Sequence, residues 1–377
     1  MRTANWRAER PRLLVVATTL MALAATACSG LAPGANGSPD ASAAPSTAAP
    51  PSAAISPPPT PTPEPVDPDG NHVATGLAFA MTPSPESPRT EIFVVEPDGS
   101  LRQITNLDAD QGTGGASPVW SPDGEQLAFG PAVLGSGARP ATLLVEADGS
   151  NQRIVKEFDF EEFHCCSWSA DSRLLLFSDA TPPGDRRLWL ADLVSGEATR
   201  IGTGAAPHWL PGDRQIAFFN GVTGRVPGDP EALTPVIFVM DRDELAPRIF
   251  AEADAATWSP DGGSVLIERS GTLLLADAGG SDPQEFARGV QPAWSPDGSR
   301  VVFHSGTDAD GQPLLTLMDL DGQVAWSGVA GSAPAWSSDG SRLAVQVAYP
   351  DPVVRVLSAA TGEQLWETAG IQPAWRP

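Results

Sequence analysis

The sequence predicts an all-β fold, a closed ring of seven blades, each a four-stranded sheet. Three observations carry this. A tryptophan-centred pattern recurs at a period near 40 residues. Each recurrence joins a tight-turn sequence to an apolar β-rich run. The chain also stops one strand into a repeat whose remaining strands stand at the start of the domain. A period of that size fits four short strands and their turns, the blade of a β-propeller.

The N-terminal segment reads as an export signal. Arg2, Arg7, Arg10 and Arg12 precede an apolar run, Leu13 to Ala27, interrupted only by Thr18, Thr19 and Thr26. The run is shorter than the roughly 20 residues a membrane-spanning helix needs, and it ends in small residues, as a signal peptide does. Ala25-Thr26-Ala27-Cys28 resembles a bacterial lipobox, with Ala25 where Leu is commonest. The expectation is a lipidated Cys28 at the mature N-terminus, since an exported chain would otherwise begin with an exposed thiol. The alternative is an ordinary signal peptide cut after Ala27. Residues 28–66 hold Cys28 and then almost only Ala, Pro, Ser, Thr and Gly. Such a composition buries no core and reads as a disordered stalk.

Residues 67–377 are the expected propeller. Six stretches align: SPVWSPDGEQLAF (117–129), CCSWSADSRLLLF (165–177), APHWLPGDRQIAF (206–218), AATWSPDGGSVLI (255–267), QPAWSPDGSRVVF (291–303) and APAWSSDGSRLAV (333–345). A seventh, QPAWRP, is incomplete. The repeat tryptophans are Trp120, Trp168, Trp209, Trp258, Trp294, Trp336 and Trp375, spaced 48, 41, 49, 36, 42 and 39 residues apart. A first strand ends at the Trp and a Ser-Pro-Asp-Gly turn follows. In that turn Pro presets φ, Asp bonds the turn backbone and Gly takes the left-handed position. A second strand such as Gln126–Phe129 comes next, then a variable loop, a third strand such as Thr142–Val145, a second turn and a fourth strand. A large aromatic repeated in every blade is expected to pack between blades rather than to bind a ligand. The units at Trp168 and Trp209 are the weakest, because Ser172 and Asp213 replace the turn glycine. The fragment ending at Trp375 should supply the first strand of a blade begun near Leu77, giving seven blades and no open sheet edge. Six blades, with one irregular unit, is the alternative.

At these residues the pattern PxWSPDGxxLAF resembles the TolB-type, WD40-like propeller repeat, over roughly residues 67–377. The resemblance implies the fold and says little about function, because such rings serve as periplasmic or surface scaffolds, as enzyme gating domains and as domains of unknown role. The hydrolase domain that some peptidases join to a similar propeller is expected to be absent.

Charge excludes one class of partner. Asp and Glu number 46 against 23 Lys and Arg, a formal net of -23, with Lys156 the sole lysine. Such a surface does not suit nucleic acid. In a propeller the strand 1–2 and 3–4 turns share one face, while the 2–3 loops and the crossings between blades share the other. The second set varies here, with long loops at 81–91, 131–141, 220–234 and 305–312 and long crossings at 106–116 and 155–164. Variable loops on a rigid scaffold are where binding sits, so this is the expected working face. It carries Asp108, Asp110, Asp159, Glu161, Glu162, Glu252 and Asp254, either a rim for a cation or basic partner or a solvated edge.

His164-Cys165-Cys166 admits three arrangements: a vicinal disulfide, a metal site using His164 and the thiolates, or two ordinary buried thiols. The metal reading lacks the second ligand pair of a structural zinc site. No G-x-S-x-G elbow, H-E-x-x-H or Walker A motif occurs, and the four histidines are His72, His164, His208 and His304. The expectation is a monomeric lipoprotein, tethered at the outer face of the cell membrane, without cofactor or metal, presenting its ring to a protein or glycan. The alternative is an enzyme or sensor for a small molecule or sugar in the central channel.

Overall fold

The computed structural model describes Val66 and residues 72–83, 90–107, 115–131, 141–158, 163–181, 185–220, 225–226, 229–233, 235–348 and 351–377. The leader, Cys28 and most of the linker lie outside these residues. Among the described residues no helix is long and apolar enough to cross a membrane.

The chain is a seven-bladed β-propeller. Blade one takes β1 (Leu77–Met81), β2 (Glu91–Val95) and β3 (Leu101–Gln103); blade two runs through β4 (Gly115–Trp120), β5 (Gln126–Pro131), β6 (Ala141–Glu146) and β7 (Arg153–Glu157). Blade three is β8 (Phe163–Trp168), β9 (Leu174–Thr181), β10 (Asp185–Asp192) and β11 (Glu197–Thr203). Blade four begins with β12 (Ala205–Trp209) and β13 (Gln215–Phe219). A separate hairpin, β14 (Arg225–Val226) with β15 (Asp229–Leu233), interrupts it before β16 (Val236–Asp241) and β17 (Arg248–Glu252). Blade five holds β18 (Ala255–Trp258), β19 (Ser264–Arg269), β20 (Thr272–Asp277) and β21 (Gln284–Arg288). Blade six holds β22 (Val290–Trp294), β23 (Arg300–Thr307), β24 (Pro313–Asp319) and β25 (Val324–Ala330). Blade seven holds β26 (Ser332–Trp336), β27 (Arg342–Val347), β28 (Val353–Ser358) and β29 (Gln364–Ala369). The last strand, β30 (Ile371–Trp375), returns to blade one and pairs antiparallel with β1, Leu77 opposite Trp375.

The core consists of wedges between neighbouring blades. Strand alternation sends successive side chains to opposite faces, so each second strand feeds two wedges. In β5, Leu127 and Phe129 pack with Ile92 and Val94 of blade one, while Ala128 packs with Leu175 and Phe177 of blade three. Seven such clusters close the circle. Trp120, Trp168, Trp258 and Trp294 are buried in them, and Trp209, Trp336 and Trp375 pack against them half-buried. Three indoles also reach the preceding blade: Trp168, Trp294 and Trp336 donate from Nε1 to the carbonyls of Val119, Thr257 and Ala293 at 3.1, 3.1 and 3.3 Å.

A glycine five residues before the Trp recurs as Gly115, Gly204, Gly289, Gly331 and Gly370. A Cβ at Gly331 would lie 2.8 Å from Val345 Cγ2, so first and second strands approach too closely there for a side chain. The units at Trp168 and Trp209 form full blades. Ser172 and Asp213 take the left-handed conformation themselves, at φ 58° and 55°. Two loop lengths need correction. The stretch 305–312 is not a long loop: β23 continues to Thr307, and Asp308 closes a tight turn by donating its N–H to the Gln312 carbonyl at 2.9 Å. The crossing 155–164 is shorter than its sequence suggests, because β7 runs to Glu157 and Phe158 is buried in the wedge.

Candidate functional site

On the turn face, one side-chain device repeats. In five blades the Ser after the Trp donates to the turn Asp: Ser121 to Asp123, Ser169 to Asp171, Ser259 to Asp261, Ser295 to Asp297 and Ser337 to Asp339, all at 2.5–2.6 Å. The same hydroxyls accept the N–H that starts the second strand, as Ser295 does from Arg300 at 2.9 Å. Hydrogen bonds from Ser295 and then from Ser299 hold the Asp297 carboxyl down at about 2. These five aspartates are therefore engaged in their own turns. Blade four departs from the pattern, with Leu210-Pro211-Gly212-Asp213, and a shallow depression lies there, lined by Asp171, Gly212, Asp213, Arg214, Arg242 and Asp243. Its charges face one another: Arg214 bonds Asp241 at 2.7 Å, and Asp213 accepts the Ala170 N–H of blade three at 2.6 Å.

The loop face is irregular. The β14–β15 hairpin, inserted between β13 and β16 of blade four, forms a two-stranded sheet of its own. Glu91, buried at the start of β2, accepts from the Thr105 hydroxyl at 2.5 Å and from the Leu107 N–H at 3.1 Å, fastening the crossing out of blade one. Asp179 is buried at the end of β9 and accepts from Arg187 Nε at 2.9 Å, from Arg187 Nη2, and from Trp189 Nε1 at 2.9 Å. Lys156 of blade two lies 4.4 Å over the Trp189 ring. The sole lysine of the sequence thus reaches from blade two to an indole that the buried Asp179 holds in blade three. Sequence reading missed Asp179 and Arg187 because their contact depends on the β9–β10 register, which sets them opposite each other.

The acidic rim is only partly placed. Asp108, Asp110, Asp159, Glu161 and Glu162 lie outside the described residues. Glu252 is exposed at the end of β17. Asp254 accepts the Ser270 N–H at 2.6 Å and so fixes a hairpin turn of blade five.

At the channel mouth, first strands bulge three residues before the Trp. Ser117, Ala206, Gln291, Ala333 and Gln372 take φ of 47–55° there, and the ladder register shifts at each. At four of these positions the freed N–H is accepted by a side chain of a neighbouring blade. Ser178 takes Ala206 N at 3.2 Å, Glu268 takes Gln291 N at 2.7 Å, Gln346 takes Gln372 N at 3.0 Å, and Gln372 in turn takes Ser117 N at 2.7 Å. Burial pushes the Glu268 carboxyl up against the pull of the Gln291 N–H, with Asp254 adding to the rise. The channel-mouth polar groups thus tie blade to blade. His208 and His304 are pushed below the ordinary imidazole value by burial, and His72 packs edge-on against Trp366. Among the described residues, no three of His, Cys, Asp and Glu come together as a metal-holding set.

In β8 the backbone of the His164-Cys165-Cys166 segment lies in the first strand of blade three, with a register shift between His164 and Ser167. The side chains of His164 and Cys165 lie outside the described residues. Cys166 is half-buried at the wedge between blades two and three and is disulfide-bonded.

No protein-family model matches the chain, and no curated protein matches it. Solved structures match as folds. The β-propeller domain of the Trilobed protease from Pyrococcus furiosus superposes with a TM-score of 0.54 at 14% identity, over 77% of this chain and 94% of that one. Oligogalacturonate lyase from Vibrio parahaemolyticus gives 0.53 at 14% identity, over 71% and 82%. TolB from Acinetobacter baumannii gives 0.49 at 18% identity, over 80% of this chain and 66% of TolB, just under two thirds of its length. At these identities the likeness is one of fold.

Proposed function

We propose that the chain is an exported, lipid-anchored scaffold whose loop face binds a protein or glycan at the cell envelope. The observation that carries this reading is the contrast between the two faces. The turn face repeats one self-satisfied device in five of the seven blades, whereas the loop face carries insertions of unequal length, including the β14–β15 hairpin. A rigid ring with variable loops on one side is how binding surfaces are built. The anchor rests on the arginine-rich leader, the small residues before Cys28 and the Pro-rich stalk. The use of Ser178, Glu268 and Gln346 as inter-blade ties supports a loop-face binder over a reactive channel.

The test removes the insertion and keeps the ring. Asn220 and Val236 already face each other, Asn220 N–H to the Val236 carbonyl at 3.3 Å, so a two-residue Asn-Gly turn can replace residues 221–235. The shortened lipoprotein should unfold within a few degrees of the parent and lose partners crosslinked to the parent in native membranes. Undiminished crosslinking after this deletion and equivalent ones at 84–89 and 132–140 would overturn the reading. Cys28→Ser should move the protein from the membrane to the soluble fraction.

A further inference from the structure

We propose that Cys165 and Cys166 form a vicinal disulfide and that this bond is a thiol-exchange site at the channel mouth, opened by a dithiol reductant of the envelope. The chain has three cysteines, and Cys166 is disulfide-bonded. The assignment of its partner rests on the reading above that the Cys28 sulfur carries the lipid, which leaves Cys165.

The placement gives the bond a role. Cys165 stands three residues before Trp168, the position at which Ser117, Ala206, Gln291, Ala333 and Gln372 bulge, and the ladder of blade three shifts at the same point. In blades four, six and one, the bulge is held by a side chain ten residues past the preceding blade's Trp: Ser178, Glu268 and Gln346. The residue at that position before blade three is Gly130, which has no side chain to offer. A covalent link between adjacent residues would supply in blade three the restraint that this hydrogen bond supplies in blades four, six and one. Cys166 is half-buried rather than sealed in the wedge, so a thiol can approach it.

The exchange balances as follows. One thiolate of the dithiol attacks a sulfur of the 165–166 bond, which breaks and leaves a thiolate that takes up a proton. The second thiol of the reductant then attacks the mixed disulfide, and the other cysteine is released as a thiol. The reductant ends as a disulfide, and the protein has gained two electrons and two protons. Opening the bond frees the bulge of β8 while the ring stays closed.

The experiment uses the full lipoprotein extracted from its own membranes. It is alkylated with iodoacetamide before or after dithiothreitol, and tryptic peptides are mapped by mass. The peptide of residues 157–173 carries both cysteines. Expected are a mass two hydrogens below the dithiol form without reductant, and two carbamidomethyl groups after reduction. Hydrogen exchange at residues 163–168 should then run roughly tenfold faster, while residues 332–336 of blade seven stay unchanged. Alkylation of both cysteines without reductant, a Cys28–Cys166 crosslink, a link between two chains, or unchanged exchange after reduction would each overturn the proposal. The N-terminal peptide separates this outcome from the anchor: an unlipidated Cys28 beside an intact 165–166 ring overturns the anchor alone.

Discussion

At the scale of single residues, Ser295 does more than the Pro, Asp and Gly that make its turn readable. Its hydroxyl donates to Asp297 and accepts from Arg300, while its own carbonyl and N–H close the turn with Gly298 and Arg300. Ser295→Ala should cost about 1–2 kcal/mol in denaturant unfolding, because the Arg300 N–H loses a buried acceptor. The Asp297 carboxyl, held at about 2, sits below the roughly 3.9 of an unfolded aspartate. A depressed carboxyl stabilises the fold above its unfolded value, and that stability is lost as pH falls toward the folded value. Urea midpoints should therefore drop between about pH 4 and pH 2, and Asp297→Asn should flatten that fall. A slope unaltered by the substitution would show that the turn carboxylate carries none of it. The serine was legible as a motif letter but not as a hub, since its partners are backbone groups that any sequence supplies. Asp179 and Arg187 were less legible still, being ordinary residues until the strands are in register.

At the scale of elements, sequence and structure agree where a residue type is forced by geometry. The glycine five residues before the Trp in five of the seven blades is one such place, visible as a repeat and explained only by the closeness of strand two. Gly331→Ala should destabilise by about 1–3 kcal/mol, since the added carbon meets the branched Val345. Calorimetry against Gly196→Ala, where a Cβ meets nothing within 4 Å, separates crowding from the strain of the left-handed backbone at Gly196, φ 77°. An alanine at Gly331 without cost would mean that the strands part easily. The first-strand bulges were not legible, because Ser, Ala and Gln occupy that conformation without a common chemical reason. Strand lengths at 305–312 and 155–164 were misjudged for a related reason. Polar residues extend a hairpin on its exposed end as readily as they make a loop, and only the ladder distinguishes the two.

At the scale of the molecule, the ring depends on the contact between β30 and β1. Deleting residues 371–377 should expose the β1 edge and yield a less stable chain that self-associates, seen as a concentration-dependent shift in sedimentation. A monomer of parental stability would show that the ring does not need its clasp. Closure was legible because the last tryptophan lacks its turn, and blade number followed. Function was not, because the residues that distinguish one propeller from another sit in loops without a repeating pattern to read.

The same clasp sets an order in time. Blades two to seven can each be completed from consecutive residues, but β1 has no inner neighbour until some 270 residues beyond Gln103 have followed it. At roughly 5–20 residues per second of synthesis, the first hairpin made is the last blade finished, by a delay of tens of seconds. Whatever keeps Leu77–Met81 from pairing with a neighbouring chain in that interval is as much a requirement for a functional ring as any contact within it.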